Sequence, residues 1–202
     1  MNPLDHYYTI TQPSSAEFKD RGSRFLSYAF PLENKETFKK ELAAVKALHP
    51  KAVHHCFAYR IGQAGTEVRS NDDGEPAGSA GKPILGQIDS KQLTNVGIVV
   101  VRYFGGTLLG IPGLIHAYKT AASLALQTTP LVKKPVLERY LLFFNYTEIN
   151  EVMRVLKPAA CQVFEQDLQL FSQMKIGIPV ARKEEVVHLL TQVRGMEIQK
   201  SL

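Results

Sequence analysis

Cysteine is scarce in this 202-residue chain: only Cys56 and Cys161 are present, far apart and in no CxxC pair. A zinc ribbon and a redox dithiol are thereby excluded, and a structural disulfide is not expected in a reducing compartment. No apolar run approaches the roughly 18 residues of a membrane span. The opening Met1-Asn2-Pro3-Leu4-Asp5-His6 lacks the basic stretch followed by an apolar one that marks a signal peptide. A cytoplasmic protein without membrane contact is therefore expected. Charge is not segregated either. The net formal charge is +5 with a pI of about 9.1, and there are 14 basic and 11 acidic residues up to Thr128 against 10 and 8 after it. There is no polybasic tail, and so mild an excess is compatible with RNA or ribosome contact without demanding it.

The common site motifs are missing as well. No Walker A loop, GxGxxG, EF-hand loop or GxSxG elbow occurs, so four familiar routes to phosphate, calcium or acyl chemistry are closed. The aromatic signature of RNA-recognition strands is also absent.

What is present is enough apolar residue, 45%, for one large core or two modest ones. Arg24–Phe30 reads as a strand. Asn34 is a good N-cap for a helix carrying Phe38, Leu42, Val45 and Leu48 on one face. From Val53 to Ile61 the alternation is of period two, which sets His55, Phe57 and Tyr59 opposite His54, Cys56 and Ala58. A short strand near Glu67–Ser70 precedes a helix opened by Lys82-Pro83. Val96–Tyr103 is an almost unbroken apolar strand, suited to the middle of a sheet covered on both faces, and a helix is expected from beyond Gly113 to Gln127.

Thr128–Pro135, with two prolines and two lysines, reads as a linker. The expected organisation is thus a domain at 1–128, a linker at 129–135 and a second domain at 136–202. In the second domain the predicted order is strand Leu137–Asn145, helix Glu148–Leu156, strands Cys161–Glu165 and Leu168–Ile178, helix Lys183–Val193 and strand Glu197–Lys200. This is the βαββαβ order of ferredoxin-like domains. Phe143, Phe144, Tyr146, Phe164 and Phe171 are read as core or cross-strand packing.

Two stretches are too dense in unusual residues to be ordinary core. Ser70–Gly81 holds Asp72, Asp73 and Glu75 among three glycines. It reads either as an oxygen-rich cation site for Mg²⁺ or Ca²⁺ or as a tight turn in which Asn71 or Asp72 bonds forward and Gly74 supplies a positive φ. Arg102-Tyr103-Phe104-Gly105-Gly106, running on to Leu109-Gly110, could hold a phosphate between loop amides and a helix N-terminus, or its glycines could simply permit close packing. Arg102 would meet a carboxylate or phosphate oxygens, or an internal partner among Asp72, Asp73 and Glu75. His54-His55-Cys56 cannot all serve one metal, because strand neighbours face opposite ways.

Taken together, Ser23-Arg24-Phe25, His54–Tyr59, Asp72–Leu85 and Val100–Gly106 with Leu109-Gly110 and Gly113-Leu114 resemble the IMPACT/YigZ family. The resemblance implies an α+β first domain like the second domain of a small-subunit ribosomal protein. It also implies a ferredoxin-like second domain similar to one in elongation factor G. Eukaryotic relatives interfere with activation of a translation-control kinase by competing for its activator protein. For this chain the resemblance implies a non-enzymatic regulator contacting RNA, the ribosome or a translation-associated protein, without metal or cofactor. The ligand-contacting residues would be Asp72, Asp73, Glu75, Lys82, Arg102, Tyr103, Gly105 and Gly106. A Mg²⁺-dependent enzyme acting on a phosphorylated or nucleotide substrate and a protein–protein adaptor are the alternatives. Asn71, Ser79 and Ile111-Pro112 depart from the usual family residues, and Pro112 removes a loop donor.

Overall fold

The unbroken apolar segment Val96–Tyr103 becomes a central strand with partners on both sides. In a computed structural model, which describes residues 5–201, the strands of the first unit are β1 (His6–Ile10), β2 (Ser14–Asp20), β3 (Ser23–Pro31), β4 (His54–Ile61), β5 (Glu67–Asn71), β6 (Val96–Tyr103) and β7 (Leu131–Pro135). Its helices are α1 (Lys35–Leu48), α2 (Gly81–Ser90) and α3 (Gly110–Gln127). Five strands form one sheet in the order β2-β3-β6-β4-β5, with every neighbouring pair antiparallel. The chain divides into two compact units, residues 7–134 and residues 135–201, the second including Asp5 and His6.

Both faces of the large sheet are covered, as the composition of β6 requires. Val96, Ile98 and Val100 pack with Ile84, Ile88, Ala117, Tyr118 and Ala121 of α2 and α3. Val99 and Val101 pack on the other side with Phe38 and Val45 of α1. Asn34 caps α1 as expected, accepting from the Thr37 amide at 2.9 Å. Leu48, expected on the buried face of that helix, is instead exposed, although Val45 in the same last turn is buried.

Three differences from the sequence reading concern edges. Strands β1 and β2 were not anticipated, and Leu131–Pro135 is no irregular linker but strand β7, paired with β1 in a two-stranded sheet. Helix α3 begins at Gly110 rather than beyond Gly113, since Pro112 falls in its first turn, where a missing N–H costs no intrahelical bond.

The second unit contains β8 (Leu137–Asn145), α4 (Ile149–Leu156), β9 (Gln162–Asp167), β10 (Phe171–Pro179), α5 (Lys183–Thr191) and β11 (Glu197–Lys200). The sheet order is β11-β8-β10-β9, all antiparallel, which is the split βαββαβ arrangement. Leu142, Phe144, Met174 and Ile176 pack under Val152, Leu156, Val186 and Leu190 of the two helices. Of the aromatics read as core or cross-strand packing, Phe144 is buried and Phe164 lies under the Arg139 guanidinium at 5.1 Å, whereas Tyr146 and Phe171 are exposed.

Candidate functional site

The segment between β5 and α2 reverses direction through a tight turn. The Glu75 amide donates to the Asp72 carbonyl at 2.9 Å, and Asp73 and Gly74 between them both have positive φ, 42° and 90°. This is the backbone that Asp-Gly favours in type I′ turns. Asn71 Oδ1 steadies it by accepting from the Asp73 amide at 2.7 Å.

Past the turn, Asp72 acts as a remote cap. Its two carboxylate oxygens accept from the amides of Gly78 at 2.9 Å, Ala80 at 3.0 Å and Gly81 at 2.8 Å. The last two belong to the start of α2, whose own N-cap residue, Ala80, has no side-chain bond to offer. Burial pushes the Asp72 carboxyl up, but these three amides, with Lys82 nearby, outweigh it and leave the pKa below its ordinary value. Asp73 is used similarly, Oδ2 accepting from the His55 amide at 2.7 Å, while its carbonyl meets His54 Nδ1 at 2.8 Å.

Glu75 points the other way, into the layer between sheet and helices. Its Oε1 accepts from Arg102 Nη1 at 2.7 Å and from the Tyr118 hydroxyl at 2.8 Å. The Tyr118 hydroxyl in turn accepts from Cys56 Sγ at 3.3 Å, and the same thiol approaches the Asp72 carbonyl at 3.0 Å. A chain of polar groups therefore ties the acidic loop to β4, β6 and α3. The Arg102 guanidinium also lies over the rings of Phe25 at 5.6 Å and Phe104 at 5.5 Å, contacts that favour a cation away from water. Burial raises the Cys56 thiol to about 12 and pushes the Tyr118 hydroxyl up as well, so neither ionises near neutrality. Cys56 is thus no nucleophile in this setting.

The other anticipated residues lie apart from this chain. Tyr103 is on the opposite face of β6, where its hydroxyl meets His49 Nδ1 at 3.0 Å while His49 Nε2 meets Tyr28 at 2.6 Å. Lys82 is exposed in the first turn of α2, and Gly106 is exposed with φ 87°. Gly105 packs directly on the β2–β3 turn: a Cβ there would overlap the Gly22 carbonyl, and its amide donates to Ser23 Oγ at 3.2 Å. Of the two readings of these glycines, close packing is the one realised at Gly105. Among the described residues, no group of three or more His, Cys, Asp or Glu side chains is arranged to hold a metal ion, and no helix is long and apolar enough to cross a membrane.

Tyr118 was missed by sequence reasoning, since a tyrosine on an alanine-rich helix face looks like ordinary core. The signal available was its hydroxyl, which on a buried face needs a partner. Phe104 was passed over for the same reason as any lone loop aromatic.

The Impact N-terminal domain family matches residues 21–126, the span that holds every contact just described around Arg102 and the acidic loop. The "IMPACT family member YigZ" of Escherichia coli (strain K12) is 34% identical over 165 residues, 81% of this chain and 81% of that protein. The chain belongs to the IMPACT family. A more distant relative, the "Protein IMPACT homolog" of Saccharomyces cerevisiae, is 36% identical over 113 residues, 54% of this chain and 43% of its own length. A solved structure described as that of a hypothetical protein superposes with a TM-score of 0.75 at 29% identity, covering 99% of both chains. In this IMPACT-family chain Asp72, Glu75 and Arg102 are thus linked to one another rather than spread over the surface.

Proposed function

We propose that this IMPACT-family protein is a regulatory binding protein linked to translation, acting without catalysis through the surface that the acidic loop and the β6–α3 loop form together. The observation that carries the reading is the commitment of the motif's charges to internal bonds. Asp72 is taken up by three amides, Glu75 by Arg102 and Tyr118, and Asp73 by the His55 amide. Groups used in this way order a rigid surface for recognition. A Mg²⁺-dependent reaction would need those same carboxylate oxygens for metal, and it would have to break the bonds that shape the loop.

The link to translation rests on the family resemblance, which implies that the eukaryotic relatives interfere with activation of a translation-control kinase. A cytoplasmic location belongs to the same reading. So do the finer likenesses, of the first unit to a small-subunit ribosomal protein domain and of the second to an elongation factor G domain; the split βαββαβ order of the latter supports it.

Sedimentation of the tagged protein in fresh lysate, at low and raised salt and with and without RNase, tests the proposal. Comigration with ribosomal particles that weakens with salt is expected. A protein that stays at the top of every gradient, but whose melting temperature rises with a nucleotide and Mg²⁺, would overturn it in favour of the enzyme.

A further inference from the structure

Helices α2 and α3 pack against each other, and a groove of about 240 Å³ is lined by Gln87 of the first and by His116, Lys119, Thr120 and Ser123 of the second. Gln87 is its unusual member. It retains 9% of its accessible surface, yet its side-chain amide bonds to no described residue. A buried amide is normally bonded to protein, water or ligand, and this one lines the groove. The side chains of α3 opposite it are equally uncommitted: Lys119, Thr120 and His116 make no side-chain hydrogen bond or ion pair among the described residues. Ser123 Oγ accepts from Gln127 Nε2 at 3.2 Å, which leaves its own hydroxyl proton free to donate. The acidic loop is the contrast, since Asp72, Asp73 and Glu75 are all bonded internally.

No carboxylate lines the groove. The two helices carry one between them, Asp89, and it is held by Arg60 at 2.7 Å. Strand β2, the other element packed on α3, runs against the helix: Ser14 bonds the Ala125 carbonyl while Phe18 meets the His116 ring at 6.0 Å. Asp20, two residues beyond Phe18 on the same strand face, therefore lies past the His116 end of the groove. Glu17 is on the opposite face of β2 and bonded to Arg24 at 2.7 Å.

We propose that this groove binds a phosphate group, with the Gln87 amide donating from α2 and Lys119 Nζ and the hydroxyls of Thr120 and Ser123 donating from α3. Donors converging from two helices around one ammonium suit a tetrahedral oxyanion, which lysine holds as a point charge. A planar carboxylate is best met by the fork of an arginine, and no arginine lines the groove. At about 240 Å³ the space falls below the roughly 300–1,000 Å³ that enclose a drug-sized ligand. It therefore takes one phosphate and leaves the remainder of the ligand outside. The backbone of RNA and a phosphorylated small molecule both carry that group. The site uses none of the acidic-loop residues and does not depend on the regulatory-binding reading above.

Nuclear magnetic resonance of the ¹⁵N-labelled full chain, titrated with inorganic phosphate, reads the contact directly. The side-chain amide of Gln87 is assigned by its absence from Gln87→Met, and sodium chloride at equal ionic strength separates binding from screening. The expected result is a saturable shift of that amide and of the Thr120 and Ser123 backbone amides with phosphate alone, weakened about tenfold in Lys119→Gln, a change on the surface. A short single-stranded RNA that moves the same signals, with a steep dependence on salt, makes the nucleic-acid backbone the source. Phosphate shifts that RNA neither reproduces nor displaces make it a phosphorylated small molecule. A Gln87 signal that phosphate leaves in place, or that chloride moves as far, overturns the inference, and so do phosphate shifts confined to residues outside the groove.

Discussion

Arg102 Nη1 and Glu75 Oε1 are 2.7 Å apart, and their side chains retain only 8% and 4% of their accessible surface. Breaking such a pair leaves one charge buried without its partner, which costs about 3–5 kcal/mol. Arg102→Met and Glu75→Leu should each lower stability by about that amount, while the two combined should recover most of it. Urea denaturation of the four proteins as a double-mutant cycle measures the coupling. Simple additivity would show that the pair contributes nothing jointly.

Gly105→Ala and Gly106→Ala separate packing from backbone conformation. The first places a methyl into the Gly22 carbonyl and Ser23 amide, so one of two chain segments must move, at a cost of about 3 kcal/mol or more. The second meets no atom within 4 Å but has φ 87°, and should cost about 1 kcal/mol from the left-handed backbone alone. Thermal unfolding of both variants reads the contrast, and equal losses would contradict it.

Asp72→Ala removes the acceptor for three amides at the entry to α2. A loss of about 2 kcal/mol is expected from the missing cap. Because the folded-state pKa of Asp72 is depressed, its contribution is present above the ordinary carboxylate pKa and fades as pH falls through the folded value. The variant should therefore lose less stability than the parent on acidification below about pH 4.

His49 and His55 give a dependence nearer neutrality. Burial, with Arg24 near His49 and Lys46 near His55, lowers both from their ordinary 6.5, Asp73 opposing this at His55. Each unfolded imidazole takes a proton below that value while the folded one resists, so stability should decline as pH falls from 6.5 toward the folded values. Denaturation at about pH 7.5 and about pH 5.5 checks the sign, and His55→Asn should flatten the slope.

Much of the fold could be read from the sequence where burial imposes a period. Val96–Tyr103, Leu137–Asn145 and Glu197–Lys200 are strands with the expected ends, because apolar runs or alternation mark them without reference to distant residues. Strands β1, β2 and β7 could not be read in this way. Ser14–Asp20 is mostly polar, and Leu131–Pro135 contains two lysines and a proline, so each becomes a strand only through a neighbour supplied by the fold. The site shows the same division. The carboxylates, the glycines and Arg102 stood out by composition. That Glu75 rather than Asp72 or Asp73 pairs with Arg102 follows from the turn at Asp73-Gly74, which sends Asp72 back to the helix amides and Glu75 inward, and from Tyr118, forty-three residues further along the chain.

The central claim is that the Arg102–Glu75 pair shapes the binding surface from inside and does not itself touch the partner. Sucrose-gradient sedimentation of the Arg102→Met/Glu75→Leu protein, with its fold verified by circular dichroism, beside a Phe104→Ser/Leu108→Ser protein tests it most directly. The account predicts that the folded pair replacement still comigrates with ribosomal particles while the surface replacement is lost from them. A folded pair replacement that leaves the particles, with the surface replacement still bound, would contradict it.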